Sequence, residues 1–238
     1  MKKNSNYNNK KIGIIGGVGP QATSFIYETI ISLSQKMYGA KNNDDFPHLL
    51  VASVPIPDFI SDKKNLGVAT NMLIDATTSL AAGGATTLCI GSNTVHLLLD
   101  TLQSSTPIKF VSMIELVAKE CNNRGLQQVG LLGTSVLLDS GMYDQELLRY
   151  GITTVLPTSA ERMVVDTVIK GVIAGSRNAV EIQKYVEILN GLFDRGAESI
   201  ILGCTELPLA LNYQALGNRT INSDEVLAEG LVKYFYEG

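Results

Sequence analysis

Short apolar runs alternate along the chain with longer segments in which apolar residues recur three and four positions apart. Several of the short runs are apolar at every position, which is typical of parallel strands buried on both faces, and the longer segments have the spacing of amphipathic helices. The predicted strands are 12–15, 49–54, 87–90, 110–111, 129–132, 153–156, 200–202 and 220–221. The predicted helices are 20–38, 66–82, 94–103, 113–124, 142–149, 160–174, 178–195 and 223–236.

This alternation predicts an α/β fold with mainly parallel sheets. Glycines follow several of the predicted helices and suit left-handed helix caps: Gly83-Gly84, Gly125 and Gly196. The first ten residues are polar and predict a mobile tail. The glycine-rich apolar stretch after them predicts a first strand and not a signal peptide.

Three pairs of segments resemble each other in the same order along the chain. They are 12–20 with 129–137, 90–97 with 202–209, and 110–120 with 220–230. Junctions between strands and helices look alike in many proteins because Gly, Ser and Thr are common there. The shared order and a separation of about 111 to 117 residues nevertheless favour a duplicated α/β unit. Equivalent strand ends of two such units would face one ligand from opposite sides of a cleft.

Composition narrows the classes of function. The chain has 238 residues, enough for one large domain or two small ones, and its 45% hydrophobic residues can build a core. The net charge is −4 without a basic block, so nucleic acid and anionic membranes are poor partners. No apolar run approaches the roughly 20 residues of a membrane span. Two histidines argue against a multi-His metal site, and three cysteines without a C-x-x-C pair indicate free thiols in a reducing cytoplasm.

The loop Gly203-Cys204-Thr205-Glu206 places a thiol between a buried strand and a predicted helix start. Backbone N–H groups and the helix dipole favour a thiolate there, so we expect Cys204 to have a lowered pKa and to be reactive. The alternative is a buried structural cysteine. That alternative is preferred for Cys89, inside an apolar strand, and for Cys121, near the end of a predicted helix.

The loop Gly91-Ser92-Asn93-Thr94 occupies the corresponding place in the first half of the chain. Asn93 and Thr94 offer hydrogen-bond donors at a helix N-terminus, which is a ready anion site, although all three polar residues also suit a helix cap. Ser92 and His96 are not predicted to form a nucleophile–base pair. They would diverge across the turn, and no G-x-S-x-G elbow is present.

Two further loops offer groups for a small anion. The segment 16–22 contains G-x-G-x-x-A after a strand, but the acidic residue expected after the next strand of an NAD site is missing, since Asp58 follows two prolines. We therefore expect Gly17 and Val18 to form a tight turn lining a small-anion cleft. In the second half, Thr134 and Ser135 supply two hydroxyls at a helix start, where they can cap the helix and also bind a ligand carboxylate.

Together these motifs resemble the aspartate/glutamate racemase family, a group of cofactor-independent amino-acid racemases whose superfamily includes hydantoin racemases, maleate isomerases and arylmalonate decarboxylases. The resemblance covers nearly all of residues 11–236. The segments that carry it are IGIIGGVGP (12–20), VPIPD (54–58), SNTVH (92–96), VSMIE (111–115), GLLGTS (130–135) with SGMYDQEL (140–147), and GCTEL (203–207). It implies two similar α/β domains related by a pseudo-twofold axis, with the active site in the cleft between them. It also implies that the C-terminal segment returns to the first domain, which gives a first domain of 1–109 plus 211–238 and a second domain of 110–210.

The family mechanism uses one cysteine from each half, on opposite faces of the substrate α-carbon. The resemblance therefore implies that Cys204 is one acid/base group, and that Asn93, Thr94, Thr134 and Thr205 hold the substrate carboxylate. It also implies a small-molecule substrate (an acidic amino acid or related carboxylate), no pyridoxal phosphate or other cofactor, no metal, and a cytoplasmic homodimer.

The chain departs from the family pattern at the first cysteine, where Ser92 stands. A hydroxyl is a far weaker acid than a thiol, whose ordinary pKa is about 8.5. Three interpretations stay open: a natural one-thiol enzyme, an engineered Cys-to-Ser form, or a carboxylate-binding protein without catalysis. A one-thiol enzyme would be a biased racemase, or an isomerase or decarboxylase of the same superfamily.

The second departure concerns recognition of the substrate side chain. Phe59 stands where aspartate racemases of the family often carry an arginine. Arg162 lies near the position of a second basic residue and is the expected clamp for a side-chain carboxylate, unless it is simply a solvated helix residue.

Overall fold

The structure is a computed structural model that describes residues 9–59, 63–176, 178–211, 217 and 219–238. Its strands are β1 (Lys11–Gly16), β2 (His48–Ser53), β3 (Thr87–Ile90), β4 (Phe110–Val111), β5 (Gln128–Leu132), β6 (Thr153–Val155), β7 (Ser199–Leu202) and β8 (Thr220–Asn222). Its α-helices are α1 (Pro20–Tyr38), α2 (Leu66–Ala82), α3 (Leu99–Ser104), α4 (Met113–Asn123), α5 (Ser135–Ser140), α6 (Met142–Leu148), α7 (Ser159–Ile173), α8 (Ala179–Asp194), α9 (Leu207–Ala210) and α10 (Ser223–Glu237). Short 3-10 helices occupy Asn43–Asp45, Lys63–Asn65 and Thr94–Leu98.

The strands form two four-stranded sheets, in the orders β2-β1-β3-β4 and β6-β5-β7-β8, and every strand pair is parallel. The central strands β3 and β7 are buried at every position, as their continuous apolar sequences predict. The predicted α/β class with parallel sheets is therefore confirmed. When the strands of each sheet are numbered in chain order, both sheets have the same spatial order, second, first, third, fourth. This shared order supports the predicted duplication.

The chain divides into two compact units, one of residues 1–112 and 227–238 and the other of residues 113–226. The predicted assignment of 211–238 to the first domain is wrong in part, because β8 pairs with β7 in the second sheet. The division falls inside α10, between Val226 and Leu227. A strand of three residues gives little sequence signal, and only its backbone pairing reveals which sheet it joins.

Several local predictions differ from the structure. The predicted helix 94–103 is a 3-10 helix followed by α3. Helix starts were expected at Thr134 and after the Cys204 loop, but the short helices α5 and α9 that begin there were not among the predicted helix ranges. Gly84 takes the left-handed conformation at φ +86, whereas Gly83 stays right-handed at φ −69. Most of the predicted tail, residues 1–8, lies outside the described residues. Lys10 is anchored, since its Nζ donates hydrogen bonds to main-chain carbonyl oxygens of the C-terminal helix at 2.9 and 3.1 Å.

Each unit has its own apolar core between its sheet and its helices. The core of the first unit includes Ile15, Leu73, Leu88 and Phe59, and that of the second includes Val117, Cys121, Leu131 and Ile201. In the described part of the chain, no helix is both long enough and apolar enough to cross a membrane.

Candidate active site

The candidate residues follow the carboxyl ends of the central strands. Ser92 comes two residues after β3, and Cys204 comes two residues after β7, so the two occupy equivalent places in the two units. Ligands of open parallel sheets bind at this end of the strands. The strand order thus places the serine and the thiol where the sequence motifs predict functional groups.

The Cys204 thiol is bonded to a carboxyl group. Its Sγ donates to Glu206 Oε2 at 3.0 Å, and Thr205 Oγ1 donates to the same oxygen at 2.9 Å. Burial raises the pKa of Cys204 well above its ordinary value, and the neighbouring Glu206 carboxyl raises it further. The predicted lowering of this pKa is therefore wrong. The helix after the loop, α9, has only four residues, and a dipole that short does not offset burial beside a carboxyl group.

Two buried carboxyl groups belong to the surroundings of Cys204, and the sequence analysis did not single them out. Glu206 and Asp224 are 4% and 0% exposed. Glu206 Oε1 and both carboxyl oxygens of Asp224 have no hydrogen-bond partner among the described residues. Burial raises the pKa of Asp224 well above its ordinary value, and the Glu206 carboxyl adds to this effect. The only sequence signal is an acidic residue at each of two helix starts, and acidic residues are common there because the helix dipole favours them.

Tyr185 is a further buried neighbour. Burial raises the pKa of its hydroxyl, and Cys204 adds to the increase. The hydroxyl has no hydrogen-bond partner in the part of the chain that the structure describes. The Cys204 thiol thus lies close to the Tyr185 phenol as well as to the two carboxyl groups. Among the described residues, no cationic side chain lowers its pKa.

The Ser92 loop is buried, including Asn93, Thr94 and His96. His96 Nδ1 donates a hydrogen bond of 2.8 Å to the main-chain carbonyl oxygen of Ser92, not to its hydroxyl. Burial lowers the pKa of His96 to about 4, partly opposed by this hydrogen bond. The Nδ1 atom is thus engaged with the backbone, in line with the prediction that the two side chains form no nucleophile–base pair. We expected an anion site at the N-terminus of an α-helix here. The helix that follows Asn93 is instead a five-residue 3-10 helix, Thr94–Leu98.

The glycine loop after β1 is explained by packing. Gly17 has φ +90, and a Cβ at this position would lie 2.4 Å from the main-chain nitrogen of Val54. Its N–H donates to Thr23 Oγ1 at 2.9 Å, so this donor is engaged within the unit. Val18 packs against the apolar core. The predicted contact of Gly17 and Val18 with substrate stays a prediction, and the amide of Gly17 does not supply a free donor for it.

The start of α5 already carries a carboxylate from the protein itself. Ser135 donates to Asp166 through its main-chain nitrogen at 3.1 Å and through its hydroxyl at 2.6 Å. Thr134 caps the helix by accepting a hydrogen bond from the Leu137 nitrogen at 3.2 Å. The Ser135 groups that we predicted to bind a ligand carboxylate are thus engaged by Asp166.

The two positions considered for side-chain recognition are also occupied by internal contacts. Arg162 Nη1 lies 2.6 Å from Asp139 Oδ1, and its Nε donates to the Pro157 carbonyl oxygen at 3.1 Å. Phe59 is 6% exposed and belongs to the core of its unit. The structure therefore supports the structural interpretation of Phe59, and it pairs the expected clamp, Arg162, with an acidic residue.

The other two cysteines are structural, as predicted. Cys89 and Cys121 are fully buried, and burial raises the pKa of each thiol to about 12. Both side chains therefore stay protonated at neutral pH.

The chain has two α/β units, each with a parallel four-stranded sheet, and a buried thiol follows the central strand β7 of the second. These features agree with the class of protein to which the comparisons with known sequences point. A profile of the Asp/Glu/Hydantoin racemase family matches residues 15–229, and the chain belongs to this family. It is 26% identical over 224 residues to the broad specificity amino-acid racemase RacX of Bacillus subtilis (strain 168), covering 94% of this chain and 97% of that protein.

Solved structures agree with this assignment. An aspartate racemase homologue from Pyrococcus horikoshii OT3 matches with a TM-score of 0.78 at 30% identity, over 95% of this chain and 99% of that one. The aspartate racemase of Picrophilus torridus matches with a TM-score of 0.81 at 28% identity, over 95% and 94% of the two chains. The predicted family and the enzyme class, an amino-acid racemase among the isomerases, are confirmed at this level.

Proposed function

We propose that this protein is a cofactor-independent amino-acid racemase of the aspartate/glutamate type with a single catalytic thiol, Cys204. The observation that carries the proposal is the buried contact between Cys204 and Glu206, because it gives the thiol a group with which to exchange a proton. The names of its relatives, a broad specificity amino-acid racemase and an aspartate racemase, support the reaction type.

In this mechanism Cys204 removes or returns the α-proton on one face of the substrate, and Ser92 takes the role of the family's first cysteine. Asn93, Thr94 and Thr205 are proposed to hold the α-carboxylate as negative charge develops. The hydroxyl proton of Thr205 is directed at Glu206, so Thr205 would have to turn to donate to a ligand. Because the Ser92 hydroxyl is a poor acid, we expect proton return on its face to be slow and turnover to be biased.

We propose a substrate range that extends beyond aspartate and glutamate. Arg162 is paired with Asp139, and Phe59 is buried in the core, so neither is poised to recognise a side-chain carboxylate. A homodimer and a cytoplasmic location stay predictions.

A single-cysteine isomerase or decarboxylase of the same superfamily is the second candidate. It is favoured by the single thiol, Cys204, and by Ser92 at the equivalent place after β3, because such reactions need a proton at one face only. A carboxylate-binding protein without catalysis is the third interpretation.

The test is α-proton exchange in deuterium oxide, followed by NMR. The protein is compared with Ser92→Cys and Cys204→Ala on the L- and D-forms of aspartate, glutamate, alanine and lysine. We expect the protein as it stands to exchange one enantiomer faster than the other, Ser92→Cys to interconvert both, and Cys204→Ala to do neither. Absence of exchange in both the protein and Ser92→Cys on all of these substrates would contradict the racemase proposal. Carbon dioxide release or cis–trans conversion would then identify the second candidate.

A further inference from the structure

One buried oxygen, Oε2 of Glu206, accepts two hydrogen bonds. The thiol and the Thr205 hydroxyl both donate to Glu206 Oε2, at 3.0 and 2.9 Å. A carboxylate oxygen that accepts two hydrogen bonds carries the negative charge that both donors favour. The other oxygen of Glu206, Oε1, is buried without a hydrogen-bond partner among the described residues. Glu206 is thus a buried, incompletely satisfied acceptor in direct contact with the candidate acid/base thiol.

We propose that Glu206 accepts the thiol proton of Cys204 and is the positioning residue that gives this one-thiol site its base. The inference rests on the proposed function, in which Cys204 reacts at the substrate α-carbon. Burial opposes a free thiolate, so Cys204 needs a proton acceptor inside the protein. Glu206 is that acceptor because it is already hydrogen-bonded to the sulfur.

The proton transfers balance within the site. The S–H bond of Cys204 breaks and an O–H bond forms on Glu206 Oε2, so the net charge of the pair is unchanged. The thiolate then takes the substrate α-proton as an S–H bond forms, and the C–H electron pair moves into the substrate carboxyl group. Return of a proton from Cys204 to the α-carbon and of the Glu206 proton to the sulfur restores the starting pair.

Asp224 is not the acceptor. No hydrogen bond joins it to Cys204 among the described residues, and burial together with the Glu206 carboxyl raises its pKa well above the ordinary value. The acceptor role is therefore assigned to Glu206, whose Oε2 accepts the hydrogen bond of the Cys204 thiol. The Glu206 and Asp224 carboxyl groups raise the pKa of the thiol, the thiol in turn raises the pKa of Tyr185, and Glu225 raises the pKa of Asp224.

The test compares Glu206→Gln with the unchanged protein. The amide keeps the shape of the side chain and an acceptor oxygen but takes no proton. Glu198→Gln is the matched control, because it makes the same change in the same unit, at an exposed carboxylate near the opposite end of β7. Melting temperatures of all three proteins show that the fold is kept. Glu206→Asp restores a carboxylate that is one methylene shorter.

Two rates are measured across about pH 6 to 9: alkylation of Cys204 by iodoacetamide, located by mass spectrometry, and α-proton exchange of the fastest substrate. In the unchanged protein and in Glu198→Gln, proton transfer within the pair makes both rates nearly independent of pH. In Glu206→Gln the thiolate forms only by loss of a proton to solvent, so both rates rise about tenfold per pH unit. We expect exchange at neutral pH to fall about a hundredfold or more, with partial recovery in Glu206→Asp.

The alkylation rate needs no substrate, so it tests the role of Glu206 even if the proposed function fails. Flat alkylation without exchange would contradict the racemase proposal and keep the Cys204–Glu206 proton transfer. Alkylation that rises with pH equally in the unchanged protein and in Glu206→Gln would overturn the inference, as would equal exchange rates in the two proteins.

Discussion

His96 Nδ1 donates a hydrogen bond to the main-chain carbonyl oxygen of Ser92 at a distance of 2.8 Å. A carbonyl oxygen only accepts, so the proton of the neutral imidazole sits on Nδ1. The contact bridges the turn that presents Ser92 at the end of β3. The orientation of the serine and the protonation state of the buried histidine are therefore linked.

Lowering the pH should destabilise the fold through His96. Burial lowers its pKa from 6.5 to about 4, so the folded protein binds fewer protons than the unfolded chain between these values, and stability is lost as the pH falls through that window. The full shift corresponds to about 3 kcal/mol of unfolding free energy. Urea denaturation from pH 7 to 4 measures it. His96→Asn keeps a donor without titrating and should lose less stability over this range; equal losses would contradict the prediction.

Asp224 should have the opposite effect on the pH dependence. Its pKa is raised well above the ordinary 3.8, so the folded protein holds a proton that the unfolded chain has lost, and this contribution to stability decreases as the pH rises above about 4. The slope is at most about 1.4 kcal/mol per pH unit. Asp224→Asn should reduce this dependence, as measured by denaturation at pH 5, 6, 7 and 8, whereas the exposed Asp194→Asn should not. A slope that Asp224→Asn leaves unchanged would mean that Asp224 is ionised.

Removing the Asp166 carboxylate should destabilise the start of α5. Asp166 accepts two hydrogen bonds from Ser135, one from the main-chain nitrogen and one from the hydroxyl. Hydrogen bonds to charged groups contribute about 1.5–3 kcal/mol each, so Asp166→Ala should lower the unfolding free energy by at least about 1.5 kcal/mol. Ser135→Ala keeps the main-chain hydrogen bond and should cost less. The reverse order, measured by urea denaturation, would show that the main-chain contact contributes little.

Gly17→Ala should be strongly destabilising. The added Cβ would meet the backbone nitrogen of Val54 at 2.4 Å, and the residue would be strained at φ +90. We expect a loss of more than about 2 kcal/mol, measured by thermal and urea denaturation. Gly39→Ala is the matched control, since Gly39 has φ +70 with nothing within 4 Å of the added atom. Its cost should be about 1 kcal/mol from backbone strain alone; similar losses at both positions would mean that the Val54 contact yields without cost.

The secondary structure follows closely from local sequence. The predicted helices 20–38 and 66–82 match α1 and α2 to the residue, and the strands 87–90 and 110–111 match β3 and β4. Hydrophobic periodicity predicts these elements because a helix that buries one face, or a strand that buries both faces, has a characteristic spacing of apolar residues in its own sequence. The short helices α5 and α9 have too few turns to produce a periodic signal, so their starts were predicted but their extents were not.

The chemistry of the site depended on the fold. The sequence by itself determined that Ser92 and Cys204 stand after equivalent strands, since the repeat and the strand ends are local patterns. Only the tertiary structure decided that the Cys204 pKa is raised and not lowered, because a pKa depends on burial and on carboxyl groups brought close by folding. It likewise placed Asp166, 31 residues from Ser135, on the start of α5. Contacts between residues far apart in sequence have no periodicity, so they become visible only when the chain is packed.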